Sequence, residues 1–458
     1  MTVRAGLSVL AALVAVSGGL LRADVAVPPV FSRGMVLQAE CPAPVFGTAA
    51  DGERVTVEFA GQTKSTVASE GKWKIVLDPL KPGNPGELKI AGKNSIAISG
   101  VLAGEVWHVS GQSNMKFPLS RATGAAAEIA SADFPEIRYF VAPHGPWVRI
   151  TPQTAGPLSA VAYFFAADLH ARLRRPVGIV DSSVSGAVGQ QFISHQALAG
   201  DPDLTRMLEP HGMPCSDIFN ASIAPLIPYA IRGALWCQGE GNRDYPATYR
   251  KLMVALIADW RQRWGQGDFP FLIVQLANYQ QRKPEPWEGR DCVIREVQLK
   301  TAQTVPNTAL VVTIDLGLDK DVHYPNKKPA GYRSALAARA LAYGEKIEYS
   351  GPMFASAEFK DGKAVVSFTH AGGGLAAAAG TPKGFLLCGP DKKFVRANAT
   401  IEGDKVVVSS PAVASPIAVR YAWERNPDCN LCNREGLPAS PFRSDEFVNY
   451  FTRDEGSR

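Results

Sequence analysis

A serine stands on a turn directly after an apolar run, a pattern that could support ester chemistry. Residues 104–115 read GEVWHVSGQSNM. Val106 to Val109 has strand character, and Gly111 allows the chain to turn sharply. Ser113 would then present its hydroxyl at a strand end, where it can attack a carbonyl once a histidine takes its proton. The spacing also fits a serine at a helix start, and the glycine that follows the serine in the Gly-x-Ser-x-Gly elbow is missing.

Three more polar loops follow apolar strand candidates in the middle of the chain. They are Asp181 to Ala187, Cys237 to Asn242 and Asp315 to Asn326. In open α/β sheets, functional residues collect at the carboxyl ends of the strands. We therefore expect these loops to lie near the turn that carries Ser113.

The elements that would position these loops change in character along the chain. Residues 24–103 carry short strands separated by turn residues, which is typical of a small β domain. Residues 104–345 alternate apolar strand candidates with helical patterns, which predicts a parallel sheet covered by helices. Residues 346–458 return to short strands broken by glycine turns, which predicts a second β domain. The predicted strands include 54–59, 72–77, 88–90, 178–181, 233–236, 271–275, 310–314, 364–368 and 405–409, and the predicted helices are 160–174, 245–264 and 329–343.

The helix predicted over 329–343 has a clear apolar stripe and a clear end. Gly344 is placed as its stop. The spacing predicts one shared face for Tyr332, Leu336, Ala337, Ala340 and Leu341.

Composition and the first residues predict an exported protein of more than one domain. A chain of 458 residues is too long for one core, and a net charge of +5 without a long Lys/Arg run excludes nucleic acid as an expected partner. Arg4 followed by the apolar run Leu7 to Leu21 predicts a signal peptide over residues 1–23, with a buried N-terminal helix as the alternative. Beyond residue 23 no apolar stretch is long enough to span a membrane, so we expect no membrane insertion after signal cleavage and a secreted or periplasmic location.

Seven cysteines are scattered along the chain, and their pairing cannot be deduced from their spacing. Cys429 and Cys432 form a lone C-x-x-C without a second pair or nearby histidines. A local disulfide or free thiols fit this pattern better than zinc.

Several motifs together extend the pattern around Ser113 over nearly the whole chain after residue 23. In this order they resemble the sialate O-acetylesterase family of the SGNH hydrolase superfamily. The matching segments are 31–38, 104–107, 110–115, 219–220, 223–226, 228–232, 236, 238–240, 258–260, 275–277, 295–296, 321–323, 326–327, 426–430 and 436–442.

The resemblance implies an α/β fold: an SGNH-hydrolase, flavodoxin-like parallel sheet flanked by N-terminal and C-terminal β-sandwich-like domains. It implies a serine esterase that removes O-acetyl groups from sugars or polysaccharides without a metal or organic cofactor. Ser113 corresponds to the nucleophile and His323 to the base. Asp321 is the preferred acid, and Asp319, Asp315 or a backbone carbonyl remain alternatives.

The resemblance also assigns groups that would stabilise the oxyanion formed during acetyl transfer. They are the backbone N–H groups of Ser113 and Gly186 and the side-chain amide of Gln238. Supporting residues of the same loops are Gln112, Asn114, Glu240 and Asn242. Arg295 and Glu296 are expected to form a supporting ion pair.

The chain departs from the family pattern at several positions near the expected pocket. Lys116 replaces an acidic residue, Val184-Ser185-Gly186 replaces Trp-Gly-Gly, Gly241 replaces a serine, and Tyr324 stands between the histidine and the proline. Lys116 favours an anionic sugar if it faces the pocket, or is an exposed lysine without such a role. These departures leave open two alternatives: an acetylxylan or other polysaccharide acetylesterase, and a carbohydrate-binding protein that has lost catalysis.

Overall fold

The computed structural model describes residues 24–205 and 215–448, together with residues 451 and 453. The predicted signal peptide, residues 1–23, lies outside these residues. Within the described part of the chain, no helix has the length and apolar character needed to cross a membrane.

The described residues form eight α-helices and twenty-three strands, numbered here in chain order. The helices are α1 Ser113–Lys116, α2 Ala125–Ala130, α3 Ala160–Leu173, α4 His195–Ala199, α5 Pro202–Thr205, α6 Pro246–Trp264, α7 Arg290–Thr304 and α8 Lys328–Tyr343. The strands are β1 Val36–Gln38, β2 Ala43–Thr48, β3 Arg54–Phe59, β4 Gln62–Val67, β5 Lys72–Leu77, β6 Gly83–Ala91, β7 Ser95–Gly111, β8 Phe134–Val141, β9 Val148–Ile150, β10 Val177–Asp181, β11 Gly233–Cys237, β12 Phe271–Val274, β13 Thr308–Val311, β14 Met353–Lys360, β15 Lys363–Thr369, β16 Leu375–Ala377, β17 Phe385–Cys388, β18 Val395–Arg396, β19 Asn398–Glu402, β20 Lys405–Ser409, β21 Ala418–Tyr421, β22 Leu431–Asn433 and β23 Phe442–Arg443.

A large mixed sheet organises the middle of the chain. Its main path runs β13-β12-β11-β7-β10-β8-β9, and all neighbours are parallel except β8 and β9. The strands β7, β10 and β11 end in register, with Asp181 opposite Val109 and Cys237 opposite Gly111. Their following loops therefore start at one edge of the sheet, as predicted from the loop sequences.

Helices cover both faces of this sheet. Trp107 and Leu235 pack into a core with residues of α3 and α8, whereas Trp236 packs into a second core with residues of α6 and α7. Apolar residues on both sides of each strand explain the near-continuous apolar runs seen in the sequence.

The strand β7 joins the N-terminal region to this sheet. Its first half pairs with β1 and β6, and β3 and β4 continue from β6, while β2 and β5 form a separate pair. The expected boundary between residues 103 and 104 falls inside β7, because one strand of 17 residues serves both regions.

The C-terminal region consists of small antiparallel sheets. Their orders are β14-β15-β20-β19, β18-β17-β21-β23 and β16-β22. All the strands of these three sheets follow α8, in agreement with the β character predicted after residue 346.

Arg295 and Glu296 do not form the expected ion pair. Glu296 pairs with Arg443, with oxygen–nitrogen distances of 2.9 Å. Arg295 is 0% exposed and donates to the backbone carbonyls of Leu276, Ala277, Glu424 and Arg425. Adjacent residues on a helix point in different directions, so each side chain meets a different part of the C-terminal region.

The helix α8 lies where predicted, and its buried face includes Leu336 and Ala337 of the predicted stripe but not Tyr332. Tyr332 is 43% exposed, whereas Ala330, Gly331, Ser334 and Ala335 are buried. A Cβ atom at Gly331 would lie 2.5 Å from Cβ of Phe164, so the helix approaches α3 along its small residues.

The helix α7 is not predicted from the sequence, because polar side chains on its inner face hide the helical pattern. Asp291, Arg295 and Gln298 are buried beside its apolar residues. Within the described residues the cysteines, Cys429 and Cys432 included, form no disulfide.

Candidate active site

Ser113 is the first residue of α1, two residues after the end of β7. The backbone N–H of Gln112 donates to the carbonyl of Cys237 at 2.9 Å, which ties the turn to β11. Gly111 has φ +129°, and a Cβ there would lie 2.1 Å from the Cys237 carbonyl oxygen. Only glycine fits this position. Ser113 itself is half-buried.

His323 lies on the loop between β13 and α8 and contacts one carboxylate. Its Nδ1 lies 3.2 Å from Oδ1 of Asp321, and its backbone N–H donates to the same oxygen at 2.8 Å. That backbone hydrogen bond is the main cause that lowers the pKa of Asp321. Because an ionised carboxylate only accepts, Nδ1 carries the proton and Nε2 is left as the acceptor. The His323 side chain is 32% exposed and that of Asp321 50% exposed.

The two alternative acids are engaged elsewhere. Asp315 forms a bidentate pair with Arg333, with both oxygen–nitrogen distances at 2.7 Å. Asp319 accepts a hydrogen bond of 2.8 Å from Nδ2 of Asn426. Among the three predicted carboxylates, Asp321 is therefore the one in contact with His323.

Asn114 connects the serine turn with two other loops. Its Nδ2 donates to Oε1 of Glu240 at 2.6 Å and to the carbonyl of Val322 at 3.1 Å. Val322 and Asn114 are the chain neighbours of His323 and Ser113. The Asn114 side chain thus holds the predicted base loop against the predicted nucleophile turn.

Gln112 and Asn242 connect the remaining loops. Oε1 of Gln112 accepts from the backbone N–H of Gly241 at 3.1 Å. Oδ1 of Asn242 accepts from the backbone N–H of Gly189 at 2.8 Å, and its Nδ2 donates to Oε1 of Gln190 at 3.0 Å. These bonds join the loop from Cys237 to Asn242 to the serine turn and to residues 189–190, which follow the loop that begins at Asp181.

Gln238 is turned into the protein rather than towards solvent. Its Nε2 donates to Oδ1 of Asn242 at 2.6 Å, and the side chain is 1% exposed. Its backbone carbonyl accepts from Tyr249 Oη and from Gln298 Nε2. One hydrogen of the Gln238 amide is therefore used within the loop. This geometry favours a role in stabilising the loop, in addition to the predicted role as an oxyanion donor.

The loop from Asp181 to Ala187 borders the serine turn and is exposed at its tip. Val184 N–H donates to the Gly111 carbonyl at 2.9 Å, and Val184, Ser185 and Gly186 are exposed. Gly186 has φ +77°, and a Cβ there would meet open space. Glycine is thus favoured here by the backbone conformation and not by crowding.

Lys116 is paired with a buried carboxylate. Its Nζ lies 3.6 Å from Oδ2 of Asp181, which is 1% exposed and also accepts from Tyr139 and Ser183. Part of the lysine charge is therefore offset by Asp181, which weakens the argument for an anionic ligand at Lys116.

A buried lysine beside Asn114 is a residue that the sequence does not single out by its chemistry. Lys327 is 0% exposed, and its Nζ donates to Oδ1 of Asn114 at 2.5 Å. Burial lowers its pKa to about 7. Lys327 stands next to Asn326 in a matched motif, so its position could be found in the sequence. Lysine side chains are mostly exposed, however, and only the folded loop reveals that this one is buried.

Comparison with known proteins identifies the class to which this fold and site belong. The protein is a carbohydrate esterase. A sequence profile described as "Carbohydrate esterase, sialic acid-specific acetylesterase" matches residues 103–340, over half of the chain, and the chain belongs to this family.

Individual relatives agree with the family profile along nearly their whole length. The chain is 29% identical to sialate O-acetylesterase of Homo sapiens, covering 90% of this chain and 91% of the human protein. It is 28% identical to sialate O-acetylesterase of Mus musculus over 89% of this chain and 92% of the mouse protein. A crystal structure of a carbohydrate acetylesterase from Xanthomonas citri is 37% identical, covers 93% of this chain and 100% of its own, and superposes with a TM-score of 0.86.

Proposed function

We propose that this protein is a serine esterase that hydrolyses O-acetyl esters on carbohydrates through an acetyl-enzyme. The observation that carries the proposal is the bond from Asn114, next to Ser113, to the carbonyl of Val322, next to His323. It ties a nucleophile turn to a histidine whose Nδ1 already faces a carboxylate. Family membership supports the substrate class.

The first half of the reaction uses Ser113 and His323. Oγ of Ser113 attacks the acetyl carbonyl carbon while Nε2 of His323 takes its proton. The oxyanion is stabilised by the backbone N–H groups of Ser113 and Gly186 and by the remaining amide hydrogen of Gln238. When the carbon–oxygen bond to the sugar breaks, His323 returns the proton to the sugar oxygen.

The second half repeats the chemistry with water. His323 takes a proton from water, the hydroxide attacks the acetyl-enzyme, and the proton returns to Ser113 Oγ as acetate leaves. Asp321 accepts the Nδ1 hydrogen throughout and stabilises the imidazolium that forms.

The test is acetate release from p-nitrophenyl acetate and from a panel of O-acetylated sugars that includes sialic acid and xylan. Ser113→Ala and His323→Ala are each expected to lower kcat by about 10³-fold or more, because triad members act together. The panel ranks sialate against xylan esters. Glycan binding by a wild type that hydrolyses none of these esters would instead support a carbohydrate-binding protein without catalysis.

We also propose the finer architecture and location that the family resemblance implies. Residues 104–345 would form an SGNH-type, flavodoxin-like catalytic domain between β domains at 24–103 and 346–458. The parallel order of β8, β10, β7, β11, β12 and β13 supports this arrangement. Residues 1–23 would be removed on export, and mass determination of the mature N-terminus from an exporting host tests this.

A further inference from the structure

Lys327 is a fully buried cation beside the serine turn, and its closest contacts are neutral groups. Its ammonium donates to Oδ1 of Asn114 and lies 3.4 Å from the centroid of the Tyr324 ring and 4.9 Å from that of Phe117. Aromatic faces attract a desolvated ammonium through their quadrupole. The site thus holds a buried charge with an amide oxygen and two rings.

Burying this charge is unfavourable, which makes its presence informative. Burial lowers the pKa of Lys327 although the nearby ionisable groups Cys237, Glu240 and Asp321 all act to raise it. A methionine of similar length would fill the same space without a charge to desolvate. A benefit elsewhere in the site is therefore expected.

The benefit lies in the orientation of the Asn114 amide. In its charged form Lys327 only donates hydrogen bonds, and its Nζ donates to the oxygen of Asn114, so that oxygen faces the lysine. The amide nitrogen then faces Glu240 Oε1 and the Val322 carbonyl, both of which accept. If the amide flipped, its oxygen would face these two acceptors and the link to the His323 loop would be lost.

The ring nearest to the Lys327 ammonium belongs to Tyr324, which stands between His323 and Pro325 in the chain. The residue is fully buried, and its ring is nearer to Nζ than the Phe117 ring is.

We propose that Lys327, seated on the ring of Tyr324, is a positioning residue that sets the Asn114 amide and so holds the His323 loop against the Ser113 turn. This inference rests on the proposed esterase function. Lys327 does not touch substrate in this role; it acts through Asn114.

The test is a double-mutant cycle on hydrolysis of p-nitrophenyl acetate, with active enzyme counted by titration of the reactive serine. Lys327→Met and Asn114→Ala are each expected to lower kcat by about 10-fold to 100-fold with KM changed by less than about 3-fold, as for small misplacements of catalytic groups. Because both act through one bond, the double variant should lose no more than the worse single variant. Lys328→Met, at the exposed neighbour that pairs with Glu128, is the matched control and should stay within about 2-fold of wild type.

Replacements at Tyr324 test the contact between its ring and Lys327 independently. They keep the proposal testable if Lys327→Met does not fold. Tyr324→Leu should lower kcat and Tyr324→Phe, which keeps the ring, should not. In the Asn114→Ala background, Tyr324→Leu should have no further effect.

The outcomes separate this inference from the proposed function. If Ser113→Ala is as active as wild type, the esterase mechanism fails. If Ser113→Ala is inactive while folded Lys327→Met keeps the wild-type kcat, or if the losses in the cycle multiply, the positioning role is wrong.

Discussion

The histidine of the candidate site contacts the carboxylate of Asp321, and the Asp321 side chain is 50% exposed. Asp321 makes two contacts with His323, one through the backbone N–H and one through the ring. Water screens the attraction between an exposed carboxylate and the imidazolium that forms during the reaction. The residue is therefore expected to matter through the orientation of the imidazole more than through a strong electrostatic attraction.

Asp321→Asn tests this role. We expect a loss of about 10²-fold or more in kcat, because an amide can turn its NH2 group towards Nδ1, which would hold His323 in the tautomer that has no acceptor at Nε2. Acetate release measures the loss.

Asp319→Asn and Asp315→Asn are matched controls for the same change on the same loop. Both carboxylates bind other partners, Asn426 and Arg333, so kcat should change by only a few-fold. If one of these variants loses more activity than Asp321→Asn, that residue is the acid instead.

A second histidine, His108, is buried beneath the site and is neutral. Its Nε2 lies 2.8 Å from Oγ of Ser182, and its ring stacks on Trp260 at a centroid distance of 4.9 Å. Burial lowers the pKa of His108 to about 3. The folded protein therefore binds no proton at His108 at pH values where the unfolded chain does.

His108 should make the fold sensitive to acid. Between about pH 6.5 and pH 3 only the unfolded state takes up the proton, so the free energy of unfolding falls by about 1.4 kcal/mol per pH unit from this group. In His108→Gln, the free energy of unfolding should fall less steeply as the pH is lowered from about 6.5 to 3. Denaturant unfolding at a series of pH values measures this slope. His195→Gln, at an exposed histidine, controls for the loss of one histidine, and equal slopes for His108→Gln and wild type would contradict the argument.

At the scale of elements, the contact between α3 and α8 supports the loop that carries His323, since α8 follows this loop directly. Gly331 lets the two helices approach closely. A Cβ there would lie 2.5 Å from Cβ of Phe164 and 2.9 Å from the backbone nitrogen of Phe165. Neither neighbour is the flexible end of a side chain, so the helices themselves would have to move.

Gly331→Ala should destabilise the protein despite its better helix propensity. The propensity gain is about 1 kcal/mol. Overpacking costs about 1–3 kcal/mol, more where backbone must shift, so we expect a net loss of about 1–2 kcal/mol in the free energy of unfolding. Tyr332→Ala, at the exposed next residue, should change it by less than about 0.5 kcal/mol. If Gly331→Ala instead raised the free energy of unfolding, the two helices would be able to move apart at little cost, and the overpacking argument would be wrong.

At the scale of the whole molecule, Arg295 joins the C-terminal region to the sheet. Its guanidinium donates to carbonyls of Leu276 and Ala277 after β12 and of Glu424 and Arg425 after β21. The Arg425 carbonyl also accepts from the backbone N–H of Tyr279 at 3.0 Å, so removal of Arg295 would leave the carbonyls of Leu276, Ala277 and Glu424 without a donor, which is costly for buried groups.

Arg295→Met should therefore lower the free energy of unfolding by about 3 kcal/mol or more, since each buried group left unsatisfied costs about 1–3 kcal/mol. Chemical denaturation measures this change. Arg282→Met removes an exposed arginine paired with Asp428 and should cost less than about 1 kcal/mol. Similar losses in the two variants would contradict the role assigned to Arg295.

The sequence by itself determined the order of several strands and helices and which loops follow the strands of the sheet. The strands predicted over 178–181 and 233–236 and the helix predicted over 329–343 lie close to their observed bounds, because apolar periodicity and glycine stops are local properties. The motif around Ser113 and the order of the matched segments are enough to identify the esterase family, because both are written in the residues and their spacing along the chain.

Only the tertiary structure decided which polar groups meet. The sequence favours Asp321 over Asp319 and Asp315 but leaves all three open as partners of His323, and their different contacts follow from how the loop folds back on α8 and the C-terminal region. The buried face of α8, the polar inner face of α7 and the burial of Lys327 likewise depend on neighbours that are distant in the chain. Burial and hydrogen-bond partners arise from packing between distant segments, which local sequence patterns do not encode.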